Sequence, residues 1–286
     1  MKMNPLKVKE KVQSFFIEDI GERDVSTGWL QDETTTVDVT AKQSGTLAGI
    51  DLLSIGYSLL DEKIDVTIHK SDGDRLNEGN LLARIKGPAA SVLSGERVLL
   101  NLIQRMSGVA TATAQAVNDL NDPEIWICDT RKTTPGLRMF EKYAVRCGGG
   151  ANHRYGLYDA VMIKDNHIDA CRGSIHVAVQ KARATVGPLV KIEIETRNEQ
   201  EVLDAVSAQA DVIMFDNADP ATIRNWQRHV PKTIMTEASG GITPDTLPDY
   251  NGCGVDFISL GYVTHSVQAL DISMNHTKEE ARHVFT

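Results

Sequence analysis

From about residue 123 onward, short apolar runs alternate with longer stretches of helical periodicity. The apolar runs occupy residues 125–128, 160–163, 190–194, 212–215, 233–235 and 255–258. Continuous apolar runs separated by helices are typical of parallel strands that are buried on both faces. The alternation therefore predicts a parallel β-sheet covered by helices in this part of the chain.

Each of these runs is followed by polar residues or glycine. In chain order the followers are Asp129 with Arg131 and Lys132, Lys164, Glu195, Asp216, Glu237 with Ser239, Gly240 and Gly241, and Ser259 with Gly261. The loops after parallel strands converge on one end of an α/β barrel, whereas an open sheet gathers its functional groups near one crevice. Six similar strand ends therefore favour a barrel over an open sheet.

The first part of the chain has a different pattern. Helical spacing of apolar residues covers 6–20 and 46–62, and short alternating segments that predict strands with one buried face lie at 37–41, 64–68 and 81–85. The length of 286 residues predicts about two domains, although an α/β barrel can use about 250 residues as one.

Residues 89–120 form the longest helical candidate, and we expect Gly108 to divide it into two helices. Arg97 and Arg105 share a face of this segment. Periodicity alone predicts that both are surface charges.

A local excess of positive charge interrupts an acidic protein. The 286-residue chain has a net charge of −9, yet the segment from Arg131 to Lys164 has seven cations and two anions. Two like charges about 4 Å apart repel by about 1 kcal/mol even in water, so such a cluster predicts an anionic ligand. A solvated helix face is the alternative for a charge run. It suits Arg131, Lys132, Arg154 and Lys164 poorly, because these four stand beside Gly, Pro, Asn and His.

Global properties exclude several classes of protein. The sequence pI of about 5.4 argues against nucleic acid or an anionic membrane as a partner, since both require a broad basic face. The amino-terminal residues show no signal-peptide pattern and no apolar run is long enough to span a bilayer, so we expect a cytoplasmic protein. The four cysteines lack the spacing of a zinc site or a disulfide framework.

The chemistry at the predicted strand ends suits a phosphorylated sugar together with a second anion. Gly240, Gly241 and Gly261 let backbone N–H groups approach a phosphate, and a following helix N-terminus would add positive charge, although a simple turn is the alternative. Glu195 and Asp216 can bind ribose hydroxyls, hold Mg²⁺ on a pyrophosphate or stabilise an oxocarbenium-like transition state. Glu193 lies on the same side of its strand as Glu195 and is a weaker candidate.

These residues stand in motifs that resemble one enzyme family. The motifs are GERVLLNLIQR at 95–105, DTRKTTPGLR at 129–138, EKYAV at 141–145, GGG at 148–150, NHR at 152–154, IKDNH at 163–167, IEIE at 192–195, FDN at 215–217, EASGGI at 237–242 and GYVTHS at 261–266. Together they resemble the quinolinate phosphoribosyltransferases, also called nicotinate-nucleotide pyrophosphorylases (carboxylating). The resemblance spans nearly the whole chain.

The resemblance implies a fold and a reaction. The expected fold is an N-terminal α/β sandwich, residues 1–115 completed by the tail 270–286, beside an incomplete, irregular α/β barrel of residues 116–269. The expected reaction joins quinolinate to phosphoribosyl pyrophosphate with Mg²⁺ and yields nicotinate mononucleotide, pyrophosphate and CO₂, a step of de novo NAD biosynthesis. The expected assembly is a homodimer or a larger even oligomer whose active sites are shared between subunits.

The resemblance also implies a role for each candidate residue. It implies that Arg97 acts across the subunit interface and that the quinolinate carboxylates are surrounded by Arg131, His153, Arg154 and Lys164. Lys132 is expected to face the pyrophosphate, and Glu195 and Asp216 the ribose and Mg²⁺. The 5′-phosphate is expected to bind at Ser239, Gly240, Gly241 and Gly261. Lys132, Lys164, Glu195 and Asp216 are the expected catalytic residues. For Arg97, this implication replaces the surface-charge interpretation.

Two alternatives remain at this point. One is a relative of the same fold that acts on another acceptor, such as the branch associated with molybdenum transport; Lys164 and the complete Asn-His-Arg motif favour the quinolinate enzyme. The other is a nucleic-acid-binding module whose basic segment would use Phe140, Tyr143, Tyr155 and Tyr158 to stack on bases.

Overall fold

The computed structural model describes residues 3–30 and 32–277. Its elements up to residue 120 are α1 Pro5–Ile20, β1 Thr34–Ala41, β2 Gly45–Thr46, α2 Asp51–Leu60, β3 Asp65–Ile68, β4 Arg75–Leu76, β5 Leu81–Pro88 and α3 Ala89–Leu120. The later elements are β6 Trp126–Cys128, α4 Arg138–Cys147, β7 Val161–Ile163, α5 Asp165–Ala170, α6 Ile175–Thr185, β8 Ile192–Thr196, α7 Glu199–Ser207, β9 Val212–Asp216, α8 Pro220–Trp226, a 3-10 turn Gln227–His229, β10 Met235–Ser239, a second 3-10 turn Leu247–Tyr250, β11 Phe257–Ser259, α9 Tyr262–His265 and β12 Ile272–His276.

Two structural units make up the described residues. The first contains the residues up to Ala114, the segment Met139–Gly149 and the residues from Val267 onward; the second contains Gln115–Arg138 and Gly150–Ser266. Within the described ranges, neither unit contains a helix that is long and apolar enough to cross a membrane.

The first unit is built on an antiparallel sheet with the strand order β12-β1-β5-β3. Alternate residues of β1 are buried, among them Val37, Val39 and Ala41, because successive side chains of a strand point to opposite faces. The described part of the predicted tail supplies β12, which pairs along β1 from Val37 to Ala41. Residues 278–286 of that tail lie outside the described residues.

Residues 139–149 belong to the first unit, although the predicted boundaries place them in the barrel domain. The buried Glu141 carboxylate accepts two hydrogen bonds from the Arg105 guanidinium, at 2.9 and 3.1 Å. The Tyr143 hydroxyl donates to Asp72 at 2.7 Å. Arg105 is half-buried through this contact, so its prediction as a surface charge was wrong.

Helix α3 runs without interruption from Ala89 to Leu120, so the expected division at Gly108 was also wrong. A Cβ atom at Gly108 would lie 2.1 Å from the carbonyl oxygen of Gln268. Glycine stands here because the chain of residues 268–269 passes directly against the helix, and not because the helix ends.

The second unit contains a parallel sheet with the strand order β6-β11-β10-β9-β8-β7. An isolated parallel bridge between Cys128 and Ala151 extends it beyond β6. Within the described ranges no ladder joins β6 to β7, so the barrel is incomplete. The antiparallel sheet of the first unit and the parallel sheet of the second confirm the predicted α/β fold class.

The predicted strand 233–235 is displaced in the structure. Strand β10 begins at Met235, which is opposite Val212 of β9, and it continues to Ser239, which is opposite Asp216. Glu237 therefore lies inside the strand and not after its end. This shift places a carboxylate in the interior of the sheet.

Candidate active site

A cavity of about 310 Å³ lies where the carboxyl ends of the parallel strands of the second unit meet. It is lined by Thr130, Arg131, Lys132, His153, Arg154, Met162, Lys164, Glu195, Met214, Asp216, Glu237, Ser239, Gly240 and Ser259. Its volume is at the lower end of the range for small-molecule sites. Carboxyl-end cavities of parallel α/β folds are where such proteins bind ligands.

Nine of the residues that the sequence singled out line this one cavity: Arg131, Lys132, His153, Arg154, Lys164, Glu195, Asp216, Ser239 and Gly240. Gly241 continues the chain from Gly240, and a Cβ atom at Gly261 would lie 3.1 Å from Lys132 Cδ, so both border the same region. Arg97 is an exposed residue of α3 in the first unit. Its expected contribution across a subunit interface stays a prediction.

Arg131 and Arg154 bring two guanidinium groups to one wall of the cavity. Burial lowers the pKa of Arg154 below its usual value, and repulsion from the neighbouring Arg131 lowers it further. The Arg154 guanidinium is held by a hydrogen bond from Nη1 to the Ala160 carbonyl oxygen at 2.8 Å. A held Arg154 beside a second guanidinium forms a site for an anion.

Lys132 is fixed through its backbone. Its carbonyl oxygen accepts a hydrogen bond from the buried Thr264 hydroxyl at 2.9 Å, and its N–H donates to Thr130 Oγ1 at 3.0 Å. The bond from Thr264 ties the loop after β6 to α9, which follows β11. The exposed Lys132 side chain extends from this anchored backbone.

Lys164 and Glu195 form an ion pair at the ends of the adjacent strands β7 and β8. The Lys164 backbone N–H donates to His167 Nδ1 at 2.9 Å, which fixes the start of α5. The Glu195 side chain is only 12% exposed, whereas that of Lys164 is 43% exposed. The lysine is therefore the member of the pair that is more accessible to a ligand.

The Asp216 carboxylate lies beside Gly240, which has no side chain to cover it. A Cβ atom at Gly240 would lie 2.7 Å from Asp216 Oδ1 and 2.6 Å from Asn217 Oδ1. The other Asp216 oxygen accepts a hydrogen bond from Asn217 Nδ2 at 2.8 Å. The absence of a side chain at Gly240 thus leaves the carboxylate accessible from the cavity.

Gly240 and Gly241 have φ values of 87° and 64°, a left-handed conformation that glycine adopts without steric cost. Successive N–H groups in such turns can form a concave site for an anion. The expected help from a helix dipole is weak here. Only a four-residue helix follows Gly261, and the element after Gly241 is a short 3-10 turn.

Asp129 organises the loop that carries the Asn-His-Arg motif. Its fully buried carboxylate accepts hydrogen bonds from Asn152 Nδ2 at 2.7 Å and from the His153 backbone N–H at 2.8 Å. Asn152 in turn accepts a hydrogen bond from the Tyr155 hydroxyl at 3.0 Å. The sequence placed Asp129 at a strand end, and the structure adds that it anchors residues 152–155.

His153 meets two buried glutamates in the interior of the sheet. Its Nε2 lies 3.1 Å from Glu237 Oε2 on β10 and 3.2 Å from Glu193 Oε2 on β8. Strands β8 and β10 are separated by β9, and His153 follows the bridge to β6 at the far edge of the sheet. Their side chains can meet only if the sheet curls around them, as a barrel does.

The three groups shift one another's protonation. Burial favours the neutral form of His153, and its Nδ1 accepts a hydrogen bond from the Arg154 N–H at 2.7 Å, which requires a neutral ring with its proton on Nε2. Burial and the adjacent Glu193 charge raise the pKa of Glu237 to about 8. For Glu193, burial is the largest single effect and raises the pKa, but the hydrogen bonds with His153 and Glu237 and the nearby Arg154 charge together hold the pKa below its ordinary value. Near neutral pH the cluster thus contains an ionised Glu193, a neutral His153 with its proton on Nε2 and a protonated Glu237.

The raised pKa of Glu237 predicts a loss of stability as the pH rises from about 4.5 to about 8. Glu237 has a raised pKa in the folded state, so the native protein holds a proton that the unfolded chain releases. This stabilising contribution is complete below the unfolded value of 4.5 and disappears as the pH rises through about 8. Each released proton lowers the free energy of unfolding by at most about 1.4 kcal/mol per pH unit.

Urea unfolding of the wild type and of Glu237→Gln at pH 6, 7 and 8 measures this effect. Because glutamine does not ionise, we expect the variant to lose less stability than the wild type over this interval. Equal slopes in the two proteins would contradict the assignment of a raised pKa to Glu237.

The sequence analysis missed the role of Glu237 and undervalued Glu193. A charged residue between Ile192 and Ile194 in a strand buried on both faces was the available signal, since buried charge requires a partner. Glu237 gave no such signal, because the strand was predicted two residues too early. Neither residue has a local partner, so their meeting depends on the sheet order.

Most of the aromatic residues on which the nucleic-acid alternative depends are not available to stack on bases. Phe140 is buried in the first unit, and the Tyr143 hydroxyl is bonded to Asp72. The Tyr155 hydroxyl is engaged with Asn152. Of the four aromatic residues, Tyr158 is the one with a fully exposed ring, at 82% exposure.

Comparison with known proteins points to one family. The model of the quinolinate phosphoribosyl transferase N-terminal domain matches residues 24–107, and that of the C-terminal domain matches residues 109–275. A Bacillus subtilis protein named "probable nicotinate-nucleotide pyrophosphorylase [carboxylating]" is 54% identical over 96% of this chain and 95% of its own length.

Solved structures agree with this match. A crystal structure of NadC from Streptococcus pyogenes has a TM-score of 0.92 at 38% identity and covers 96% of this chain and 98% of its own. The nicotinate-nucleotide pyrophosphorylase from Francisella tularensis has a TM-score of 0.90 at 35% identity and covers 96% and 98%. Matches to both domain models and to relatives over nearly their full lengths mean that this chain belongs to the quinolinate phosphoribosyl transferase family.

Proposed function

We propose that this protein transfers the phosphoribosyl group of phosphoribosyl pyrophosphate to the ring nitrogen of quinolinate and releases pyrophosphate and CO₂. The product is nicotinate mononucleotide, an intermediate of de novo NAD biosynthesis. Family membership supports the reaction. The single observation that carries it on this chain is that Arg131, Arg154 and Lys164 share one cavity with Glu195 and Asp216.

The cationic wall suits a pyridine with two adjacent carboxylates. Arg131 and Arg154 each offer a planar fork that can bind a carboxylate through two parallel hydrogen bonds, and Lys164 adds a third cation at the end of β7. A hydrogen bond to a charged group contributes about 1.5–3 kcal/mol. We assign quinolinate to this wall and the 5′-phosphate to the turn of Ser239, Gly240 and Gly241.

The acidic side of the cavity suits the sugar. As the bond between the anomeric carbon and pyrophosphate breaks, the ribose gains positive charge, which the Glu195 and Asp216 carboxylates stabilise. Lys132, on its anchored loop, faces the departing pyrophosphate. The pyridine nitrogen forms the new bond to the anomeric carbon, and the ring becomes a cation.

The second step needs no nucleophilic side chain. The bond between the ring and the carboxylate next to the quaternised nitrogen breaks, and its electron pair remains on the ring carbon, where the positive nitrogen stabilises it. CO₂ leaves and a proton takes its place. The residues of this chain contribute by positioning, since the substrate supplies its own electron sink.

Mg²⁺ fits the donor groups at this edge of the cavity. Magnesium binds oxygen ligands and is commonly held by one or two carboxylates together with substrate phosphates. Asp216 is left open by the missing side chain at Gly240, and Glu195 lies at the end of the neighbouring strand β8. We propose that these two residues hold Mg²⁺, partly through the substrate, where it would neutralise charge on the pyrophosphate.

An assay of CO₂ release tests the reaction. Release of labelled CO₂ from quinolinate carboxyl-labelled at the position next to the nitrogen is expected only when phosphoribosyl pyrophosphate is also present. Replacing quinolinate by nicotinate, which has one carboxylate, should give a far lower rate of nucleotide formation. Turnover of nicotinate as fast as quinolinate would refute the dicarboxylate assignment.

The same assay tests the requirement for Mg²⁺. Treatment with EDTA followed by its removal is expected to abolish CO₂ release, and added Mg²⁺ should restore it. Asp216→Asn should raise the Mg²⁺ concentration needed for half-maximal rate, because an amide oxygen is a weaker ligand than a carboxylate. Full activity in EDTA would contradict the proposed requirement.

We also propose that the active unit is a homodimer or a larger even oligomer in which Arg97 reaches the site of another subunit. The family resemblance and the exposure of Arg97 on α3 support this proposal. Mixing inactive Arg97→Ala with inactive Lys164→Ala should restore part of the activity, since hybrid dimers contain one unmutated site. No recovery after demonstrated subunit exchange would contradict a shared site.

A further inference from the structure

We infer that Glu193 and Glu237 are positioning residues that act through His153 to hold Arg154 against the dicarboxylate substrate. The inference deepens the proposed function and rests on it. It extends the site to two glutamates in the interior of the barrel, neither of which is placed at the substrate by the family resemblance.

Both ring nitrogens of His153 are used within the protein. Nδ1 accepts a hydrogen bond from the Arg154 backbone N–H at 2.7 Å, so Nε2 carries the proton that is directed to Glu237 and Glu193. The His153 side chain is 10% exposed. In this arrangement the ring offers no nitrogen to a ligand, and its effect on one must pass through its neighbours.

The nearest neighbour with a suitable group is Arg154. His153 fixes the Arg154 backbone through Nδ1, and the Ala160 carbonyl oxygen holds the guanidinium at 2.8 Å. Arg131 repels Arg154 across the same wall, as its effect on the pKa of Arg154 indicates. Without fixed anchors, repulsion between the two guanidinium groups would separate them before a substrate arrives.

The glutamates connect this loop to two inner strands of the parallel sheet. Glu193 lies on β8 and Glu237 on β10, so His153 is held by two strands near the middle of the sheet, while Asp129 holds its backbone at the end of β6. The three attachments define the position of residues 153–154 relative to the strand ends. Preorganisation of this kind reduces the cost of ordering a site when the ligand binds.

Stability alone does not account for these buried carboxyl groups. Glu193 is 3% exposed and Glu237 fully buried, and in each the Oε1 atom has no hydrogen-bond partner within the described residues. Replacing buried ionic groups by apolar residues of similar volume is often neutral or stabilising, so such groups need another reason to be present. Holding His153 in one orientation supplies that reason.

Four proteins form a double-mutant cycle that tests the inference: the wild type, Glu237→Leu, Arg154→Ala and the double variant. We expect Glu237→Leu to raise KM for quinolinate about 10-fold or more and to leave KM for phosphoribosyl pyrophosphate within about 3-fold. In the Arg154→Ala background the same change should alter kcat/KM by less than about 3-fold, because the group that Glu237 positions is gone. Equal effects in the two backgrounds would overturn the inference.

Two controls separate positioning from general damage. Glu237→Gln keeps a hydrogen-bond acceptor for His153 Nε2 and should restore KM for quinolinate to within about 3-fold of the wild type. Ile194→Ala creates a cavity on the face of β8 opposite to Glu193 and should lower the unfolding midpoint without changing that KM. If Ile194→Ala raised KM as much as Glu237→Leu at equal loss of stability, the effect would be structural.

Direct binding distinguishes failure of this inference from failure of the proposed function. Phthalate, an aromatic ring with two adjacent carboxylates and no reacting nitrogen, is titrated against the wild type and against Glu237→Leu. Absence of binding to the wild type would remove the dicarboxylate site and the proposed function with it. Equal binding to both proteins would overturn only the role of Glu237, and about 10-fold weaker binding to the variant would support it.

Discussion

Arg154→Ala is expected to lower kcat/KM for quinolinate by about 100-fold or more. The Arg154 guanidinium is half-buried beside Arg131 in the cavity, where removing one partner of a desolvated charge pair costs about 2–5 kcal/mol. Since about 1.4 kcal/mol corresponds to a tenfold change in rate, the expected loss follows. Initial rates at varied quinolinate and saturating phosphoribosyl pyrophosphate measure it.

The loss is expected to be specific to one substrate. KM for phosphoribosyl pyrophosphate should change much less, because the sugar and its phosphates are assigned to the opposite side of the cavity. Arg154→Lys should recover only part of the activity, since an ammonium group cannot replace a planar two-bond fork. Arg228→Ala, at an exposed arginine of the same unit, is the control and should keep wild-type kinetics. Wild-type kinetics in Arg154→Ala would contradict the assignment of Arg154 to the quinolinate site.

Gly108→Ala is expected to destabilise the protein by about 1–3 kcal/mol, the cost of overpacking a tight contact. In the interior of an ordinary helix the same change stabilises by about 1 kcal/mol, so the expected sign is reversed. The reason is local. The new Cβ would lie 2.1 Å from the Gln268 carbonyl oxygen, and relief requires movement of backbone and not of a flexible side chain.

Urea unfolding at one fixed protein concentration measures this change. Asn101→Ala, at an exposed position of the same helix, is the matched control and should be neutral or slightly stabilising. A midpoint for Gly108→Ala at or above that of the wild type would mean that the segment at Gln268 can move away at little cost.

The sequence predicted those features that depend on neighbours close along the chain. Apolar runs and helical spacing arise from contacts within a few residues, so the series of parallel strands and the long α3 helix were recognisable. The endings of those runs also indicated which side chains would share a cavity, because the loops after parallel strands converge by geometry. Arg131, Lys132, Lys164, Glu195 and Asp216 lie where that rule places them.

Features that depend on distant partners were not accessible in this way. Gly108 was interpreted as a helix break because nothing nearby indicates that Gln268 passes against it. Arg105 was predicted at the surface because its partner Glu141 is 36 residues away. Strand β10 was placed too early because its bounds depend on the register with β9.

By itself, then, the sequence determined the fold class, the order of strands along the chain and the identity of the groups at the cavity. The tertiary structure alone decided that His153 bonds to Glu193 and Glu237, the latter 84 residues away. The physical reason is that strand order and curvature arise from packing of the whole sheet. Two carboxyl groups and an imidazole therefore meet at hydrogen-bond distance although no local pattern connects them.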